Sequence, residues 1–125
     1  MIALGASLGA NARYLVGMLV AAQMGTEFPW GTLIINVTGS LVIGFFLTLI
    51  SEQLTVNPLW RLFFATGFLG GYTTFSTFSF ECIDLLREGA VLEAAAYVAA
   101  SVVGGIAAAF IGIVAGRWVL TMEIG

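Results

Sequence analysis

Thr66-Gly67-Phe68-Leu69-Gly70-Gly71-Tyr72-Thr73-Thr74-Phe75-Ser76-Thr77-Phe78-Ser79 is the stretch on which the fold turns. It begins some way into an apolar segment that starts near Leu59 and ends near Leu86. Three glycines in five residues, Gly67, Gly70 and Gly71, are followed at once by a run rich in hydroxyls. A glycine costs about 1 kcal/mol relative to alanine inside a helix. The spacing therefore predicts a helix broken near the middle of a membrane. Lipid cannot satisfy the backbone groups that a break exposes, so breaks occur where they line a cavity or bind ions. A second reading stays open at this point. The glycines can form a packing face, with each hydroxyl bonded back to a carbonyl one turn earlier.

The rest of the chain is built around that segment. It has 125 residues, of which 60% are hydrophobic and 9% charged, and its mean hydropathy is +1.06. A soluble domain carries roughly a quarter charged residues, so lipid is the expected solvent. A span needs about 20 residues, and the chain divides into four such segments: about 2–24, 31–51, 59–86 and 91–120. The first lacks the basic leader and the cleavage site of a signal peptide, and is read as the first span. Gly25-Thr26-Glu27-Phe28-Pro29 makes one turn; Glu52-Gln53 through Asn57-Pro58 makes another; Arg87-Glu88-Gly89 makes the third. Trp30, Trp60 and Trp118 sit at segment ends, where amphipathic rings prefer the headgroup level. No ten-residue alternation marks a barrel. The expected fold is an all-α membrane protein, a single four-helix transmembrane domain over residues 1–125.

Composition also excludes several functions. Four arginines, no lysine and a net charge of −3 imply no nucleic-acid partner. With one cysteine, Cys82, and no histidine, there is no disulfide and no ligand set for zinc, copper or haem. With four spans, Arg61 and Arg117 fall on one side and Arg87 on the other, while Arg13 lies inside the first span. Two against one is hardly an orientation bias, so insertion both ways is expected; a small protein with few charges reads the same way. Four short helices do not easily enclose a polar path alone. The small-residue spacings Gly5-x-x-x-Gly9 and Gly112-x-x-x-Gly116, with Gly104-Gly105, point to a homo-oligomer.

The candidate site residues follow from chemistry at depth. Phe75 and Phe78 are three apart and share a helical face. A ring edge is electropositive, so it can meet an anion without any formal charge; the plainer role of such a pair is packing. Ser76 and Ser79 share the neighbouring face. Asn36 interrupts the apolar run Leu33-Ile34-Ile35-Asn36-Val37. It serves either as interhelical glue or as an N–H donor to a partly dehydrated anion. Arg13 is the one cation deep in a span and is a functional candidate by default. Tyr97 and Ser101 are four apart on the last span.

At these residues the chain resembles a known family. Gly67 to Glu81 is similar to the third-helix signature of the Fluc/CrcB fluoride ion channel family. Trp30-Gly31-Thr32-Leu33-Ile34-Ile35-Asn36-Val37-Thr38-Gly39 resembles its second-helix motif, and Gly5-Ala6-Ser7-Leu8-Gly9 with Arg13-Tyr14 its first helix. The likeness covers essentially the whole chain. It implies an antiparallel, dual-topology homodimer in the cell membrane, with two fluoride pores and a structural sodium ion at the centre. Carried over by position, Asn36 is the pore amide and Phe75 and Phe78 are the fluoride-facing rings. Thr77, Ser79, Tyr97 and Ser101 belong to the polar lining, and Gly70 and Thr73 offer backbone carbonyls to sodium. Arg13 is a vestibule or structural residue. One departure is Gly105, which stands where the family often has another hydroxyl.

Fluoride is small and strongly hydrated. Uncharged donors and ring edges suit its passage, because binding must permit exit as well as entry. The alternative is a small dual-topology multidrug or cation antiporter. That mechanism needs a mid-membrane carboxylate, and Glu81 and Asp84 lie toward the end of the third span. A structural subunit leaves the glycine and hydroxyl run unexplained. No nucleophile, base or cofactor motif marks an enzyme.

Overall fold

A computed structural model describes residues 1–52 and 56–125; these form helices, with no strand among them. Gln53, part of the expected second turn, lies outside the described residues. Helix α1 is Ile2–Met24 and α2 is Trp30–Glu52. Residues 58–72 make α3, which is wound as α-helix over Pro58–Trp60, as the wider π-helix over Arg61–Leu69, and as α-helix again over Gly70–Tyr72. Helix α4 is Phe75–Arg87 and α5 is Val91–Ile124. The ends of α1 and α2 fall within a residue of the apolar boundaries, whereas α5 runs four residues past Leu120, to Ile124. Helices α1, α2 and α5 are each long and apolar enough to cross a bilayer.

Local chemistry sets several of these ends. Asn57 caps α3, its side chain accepting the Leu59 N–H at 3.0 Å, and Pro58 fills the first position, where no donor is needed. At the end of α4 the Gly89 N–H donates to the Leu86 carbonyl at 3.1 Å and the Ala90 N–H to the Leu85 carbonyl at 2.9 Å. That pair of bonds requires a left-handed residue, and Gly89 supplies it with φ 78°. The turn sends α5 back along α4.

Between α3 and α4 the helix stops. Thr73 (φ −81°, ψ 156°) and Thr74 (φ −150°, ψ 119°) are both extended. The glycines do not form this interruption, because Gly67 is helical and Gly70 and Gly71 make the last turn of α3. Gly67 and Gly71 act instead as notches. A Cβ on Gly67 would stand 2.7 Å from the Ile2 carbonyl oxygen, and one on Gly71 2.6 Å from that of Ala6. From the other side, Gly5 and Gly9 of α1 lie against the carbonyls of Phe63 and Phe68.

The small-residue spacings in α1 and α5 are therefore used within the chain. Gly112 meets the Leu41 backbone, and Gly116 meets Thr48 and the Phe45 carbonyl, both on α2. The α2–α5 interface is the most extensive in the fold. Close approach of backbones at Gly5, Gly9, Gly112 and Gly116 thus serves packing within one subunit, and these spacings do not by themselves bear on a second copy. Few large apolar side chains are buried; Leu4, Leu92, Val103, Ile106 and Phe110 are exposed on the outer faces, which fits lipid rather than water as surroundings.

Candidate functional site

The site is built where α2 braces the interruption between α3 and α4. Three consecutive residues, Tyr72 at the end of α3 and then Thr73 and Thr74 of the interruption, are each held by α2. The Tyr72 hydroxyl lies 3.0 Å from that of Thr38. Thr38 gives its own hydrogen to the Ile34 carbonyl at 2.7 Å, so Tyr72 is the donor. The Thr73 methyl fills the notch left by Gly39. The Asn36 side chain holds Thr74 by both backbone groups: Nδ2 donates to the Thr74 carbonyl at 3.0 Å, and Oδ1 accepts the Thr74 N–H at 2.9 Å. Thr74 then caps α4, its hydroxyl oxygen accepting the Thr77 N–H at 3.2 Å and its hydroxyl donating to that of Thr77 at 3.0 Å. The N–H groups four residues beyond Gly70 and Thr73, those of Thr74 and Thr77, are thus held by side chains and not by the Gly70 and Thr73 carbonyls.

Two cavities flank this brace, and Thr74 lines both. The smaller, about 370 Å³, gathers Asn36, Gly70, Thr73, Phe75, Phe78 and Ser101. The rings of Phe75 and Phe78 are 5.8 Å apart. Phe78 meets Tyr97 edge to face at 5.0 Å, and Phe75 is 79% exposed. The larger, about 830 Å³, is an open groove holding Arg13, Thr32, Thr77 and the carboxylates of Glu27, Glu81 and Asp84. Thr32 donates to Glu81 at 2.6 Å across it. Arg13 has no ion pair among the described residues.

Two hydroxyls of α5 stand out. Tyr97 is 0% exposed. Its hydroxyl oxygen and that of Ser101 are buried with no hydrogen-bond partner among the described residues. Thr32 lies beside the phenol without meeting hydrogen-bond geometry, and its hydrogen already goes to Glu81. A buried polar group left unpaired costs about 1–3 kcal/mol, and native folds keep few of them. These two have hydrogens available for a ligand.

The family model described as CrcB-like protein, Camphor Resistance (CrcB), matches residues 1–113. Relatives named fluoride-specific ion channel FluC agree with this. The protein of Chloroflexus aurantiacus is 53% identical over 117 residues, covering 94% of this chain and 93% of the relative. That of Acidobacterium capsulatum is 45% identical over 116 residues, 93% of each. That of Rhizobium meliloti is 45% identical over 113 residues, 90% of each. The chain belongs to the CrcB family. It is a multi-pass membrane protein of a transport family, not an enzyme.

In this CrcB-family chain the residues singled out from sequence do not all meet. Six line the smaller cavity: Asn36, Gly70, Thr73, Phe75, Phe78 and Ser101. Tyr97 lies directly behind Phe78, and Thr77 and Arg13 face the groove. Ser79 lines neither cavity, and its hydroxyl donates to the Phe75 carbonyl at 3.0 Å, one turn back on its own helix. Thr73 also bonds back, to Leu69 at 2.9 Å. The packing reading of the hydroxyl run thus holds for these two side chains. Sequence reasoning missed Thr74 and Ser40. Thr74 is quoted in the opening stretch, but its capping role needs the extended backbone of the interruption. Ser40 lines the smaller cavity, and its oxygen lies 3.6 Å from where a Cβ on Gly105 would stand. An α2 hydroxyl therefore occupies the neighbourhood that Gly105 leaves empty. Its place one turn after Asn36 is the only hint the sequence offers.

Proposed function

We propose that this chain is a fluoride-selective channel that lets fluoride leave the cell passively, working as an antiparallel dual-topology homodimer. The names of its relatives support fluoride as the ion. The observation that carries the reading is a pair of hydroxyls with no partner among the described residues: Ser101 lines the smaller cavity with Phe78 and Asn36, Tyr97 packs directly behind Phe78, and no charged side chain lines that cavity. Hydroxyl and amide donors replace water around a small anion, and ring edges add weak positive potential. None of them holds the ion as a fixed charge does, so exit stays possible. The antiporter alternative is not favoured, because the relatives are fluoride channels by name and no acidic side chain lines the smaller cavity. In this reading α3 and α4 cross the bilayer in series as the third of four spans, with the interruption near the middle.

Sodium fits the same interruption. Gly70 and Thr73 have carbonyls that do not receive the N–H four residues on, and oxygen dipoles of this kind suit a hard monovalent cation. Two antiparallel copies meeting there bring four such oxygens together, and the ion neutralises the partial negative charge of the two α3 ends. Liposomes loaded with fluoride and holding the pure protein test the function. Efflux should follow the electrical gradient and exclude chloride. Fluoride driven uphill by a pH gradient overturns passive conduction.

A further inference from the structure

An α-helix normally ties each carbonyl to the N–H four residues on, and that rule exposes a relation between the two sites. The N–H paired with the Gly70 carbonyl belongs to Thr74, and the one paired with the Thr73 carbonyl belongs to Thr77. Neither bond is made. The Thr74 N–H is taken by Asn36 Oδ1 at 2.9 Å, and the Thr77 N–H by the Thr74 hydroxyl oxygen at 3.2 Å. Any helix end leaves carbonyls open; what these two side chains decide is which ones.

We propose that Asn36 and Thr74 are positioning residues for the cation site, keeping the Gly70 and Thr73 carbonyls open by diverting the two amides that would otherwise close them. The inference rests on the sodium reading above and assigns Asn36 a task separate from any contact with fluoride. Without the Asn36 oxygen, the Thr74 N–H has one natural acceptor, the Gly70 carbonyl, and α3 grows by a residue. Without the Thr74 hydroxyl, the Thr77 N–H turns to the Thr73 carbonyl and α4 grows backward. Either change removes one oxygen per subunit from the cation. Because Asn36 also holds the Thr74 carbonyl through Nδ2 at 3.0 Å, both backbone groups of that residue are fixed by one side chain. One amide on α2 therefore ties the anion path to the cation site.

The test is a sodium titration of thermal stability on the purified dimer in detergent, with N-methyl-D-glucamine replacing sodium at constant ionic strength. The variants are Asn36→Ala, Thr74→Val, which keeps the shape but not the acceptor, and Thr74→Ser, which keeps the acceptor. Asn36→Ala and Thr74→Val should each raise the sodium concentration for half-stabilisation at least tenfold, and Thr74→Ser should leave it near that of the unmodified protein. A role confined to fluoride contact lowers flux and does not move the sodium midpoint. Unmoved midpoints in Asn36→Ala and Thr74→Val overturn the inference while leaving sodium binding intact. No sodium response in the unmodified protein overturns sodium binding, and the inference with it, without touching fluoride conduction. Should Asn36→Ala fail to fold, Thr74→Val against Thr74→Ser decides alone.

Discussion

Replacing Phe75 and Phe78 separately by isoleucine tests the anion path most directly, because the structure gives the two rings unequal surroundings. Phe75 is 79% exposed and has one ring neighbour, Phe78, at 5.8 Å. Phe78 has two, Phe75 and Tyr97, the latter at 5.0 Å. An aromatic pair contributes about 0.5–1.5 kcal/mol beyond the area it buries. For so exposed a ring the lower end applies, so Phe75→Ile should cost the subunit about 0.5 kcal/mol. Phe78→Ile gives up two pairs, about 1–3 kcal/mol, while isoleucine keeps most of the bulk. If the ring edges face fluoride, both variants lose that contact. A tenfold fall in flux needs only about 1.4 kcal/mol more barrier, so both should fall at least that far.

Packing predicts a different order. It makes Phe75→Ile nearly silent and Phe78→Ile defective in proportion to its lost stability. Fluoride efflux from liposomes, thermal stability and crosslinked dimer, measured on the same preparations, separate the two. The decisive variant is Phe75→Ile: normal stability and dimer with flux down tenfold supports the anion path. Unchanged flux in both variants, with normal assembly, removes the rings from the site. Flux that falls only as far as the dimer does makes Phe75 an interface side chain.

Three further outcomes are expected. Tyr97→Phe and Ser101→Ala each delete a hydroxyl that has no partner among the described residues, so stability should hold or rise by up to about 1 kcal/mol while flux falls; lower stability in both would show that these groups are paired in the assembly. Gly39→Ala drives a methyl into that of Thr73 and should cost about 1–3 kcal/mol with loss of flux, whereas Gly17→Ala, at a position with open space, should be neutral in both; equal behaviour of the two contradicts the bracing of the interruption by α2. Glu27→Cys should be labelled from both sides of the membrane, given the nearly balanced arginines, and labelling from one side only in every molecule would show a fixed orientation.

Much of the helical layout was legible in the sequence because it depends on local signals. The ends of α1 and α2, the Asn57-Pro58 start and the Gly89 turn each need only a residue and its near neighbours. Length failed at α5, where Thr121, Met122 and Glu123 look like the beginning of a tail; a helix already long continues through them. Glycine content points to residues 67–71, whereas the extended residues are Thr73 and Thr74. Glycine lowers helix propensity, yet Gly67 and Gly71 sit in helix because α1 packs onto them, and tertiary contact overrides propensity. The Thr74 N–H that would continue α3 is taken by a side chain 38 residues away in sequence, Asn36. No local pattern carries that contact. The same limit hid Ser40, whose relevance depends on α5 lying against α2.

Under the proposed function, the interruption also explains how one short segment would serve ions of opposite sign. A helix ends in partial negative charge at its carbonyls and begins in partial positive charge at its amides, about half an elementary charge each. In an unbroken helix these cancel along the interior. Here two extended residues, Thr73 and Thr74, separate the carbonyl end of α3 from the amide end of α4. The first amides of a helix have no acceptor within that helix, and Phe75, which opens α4, lines the smaller cavity. Carbonyls that suit a cation and amides that suit an anion therefore come from the same cut. Such a cut is unstable in lipid unless something outside the helix satisfies it. Asn36 does so at Thr74 with one donor and one acceptor, and it leaves the charged ends open because it pairs only with the residue between them.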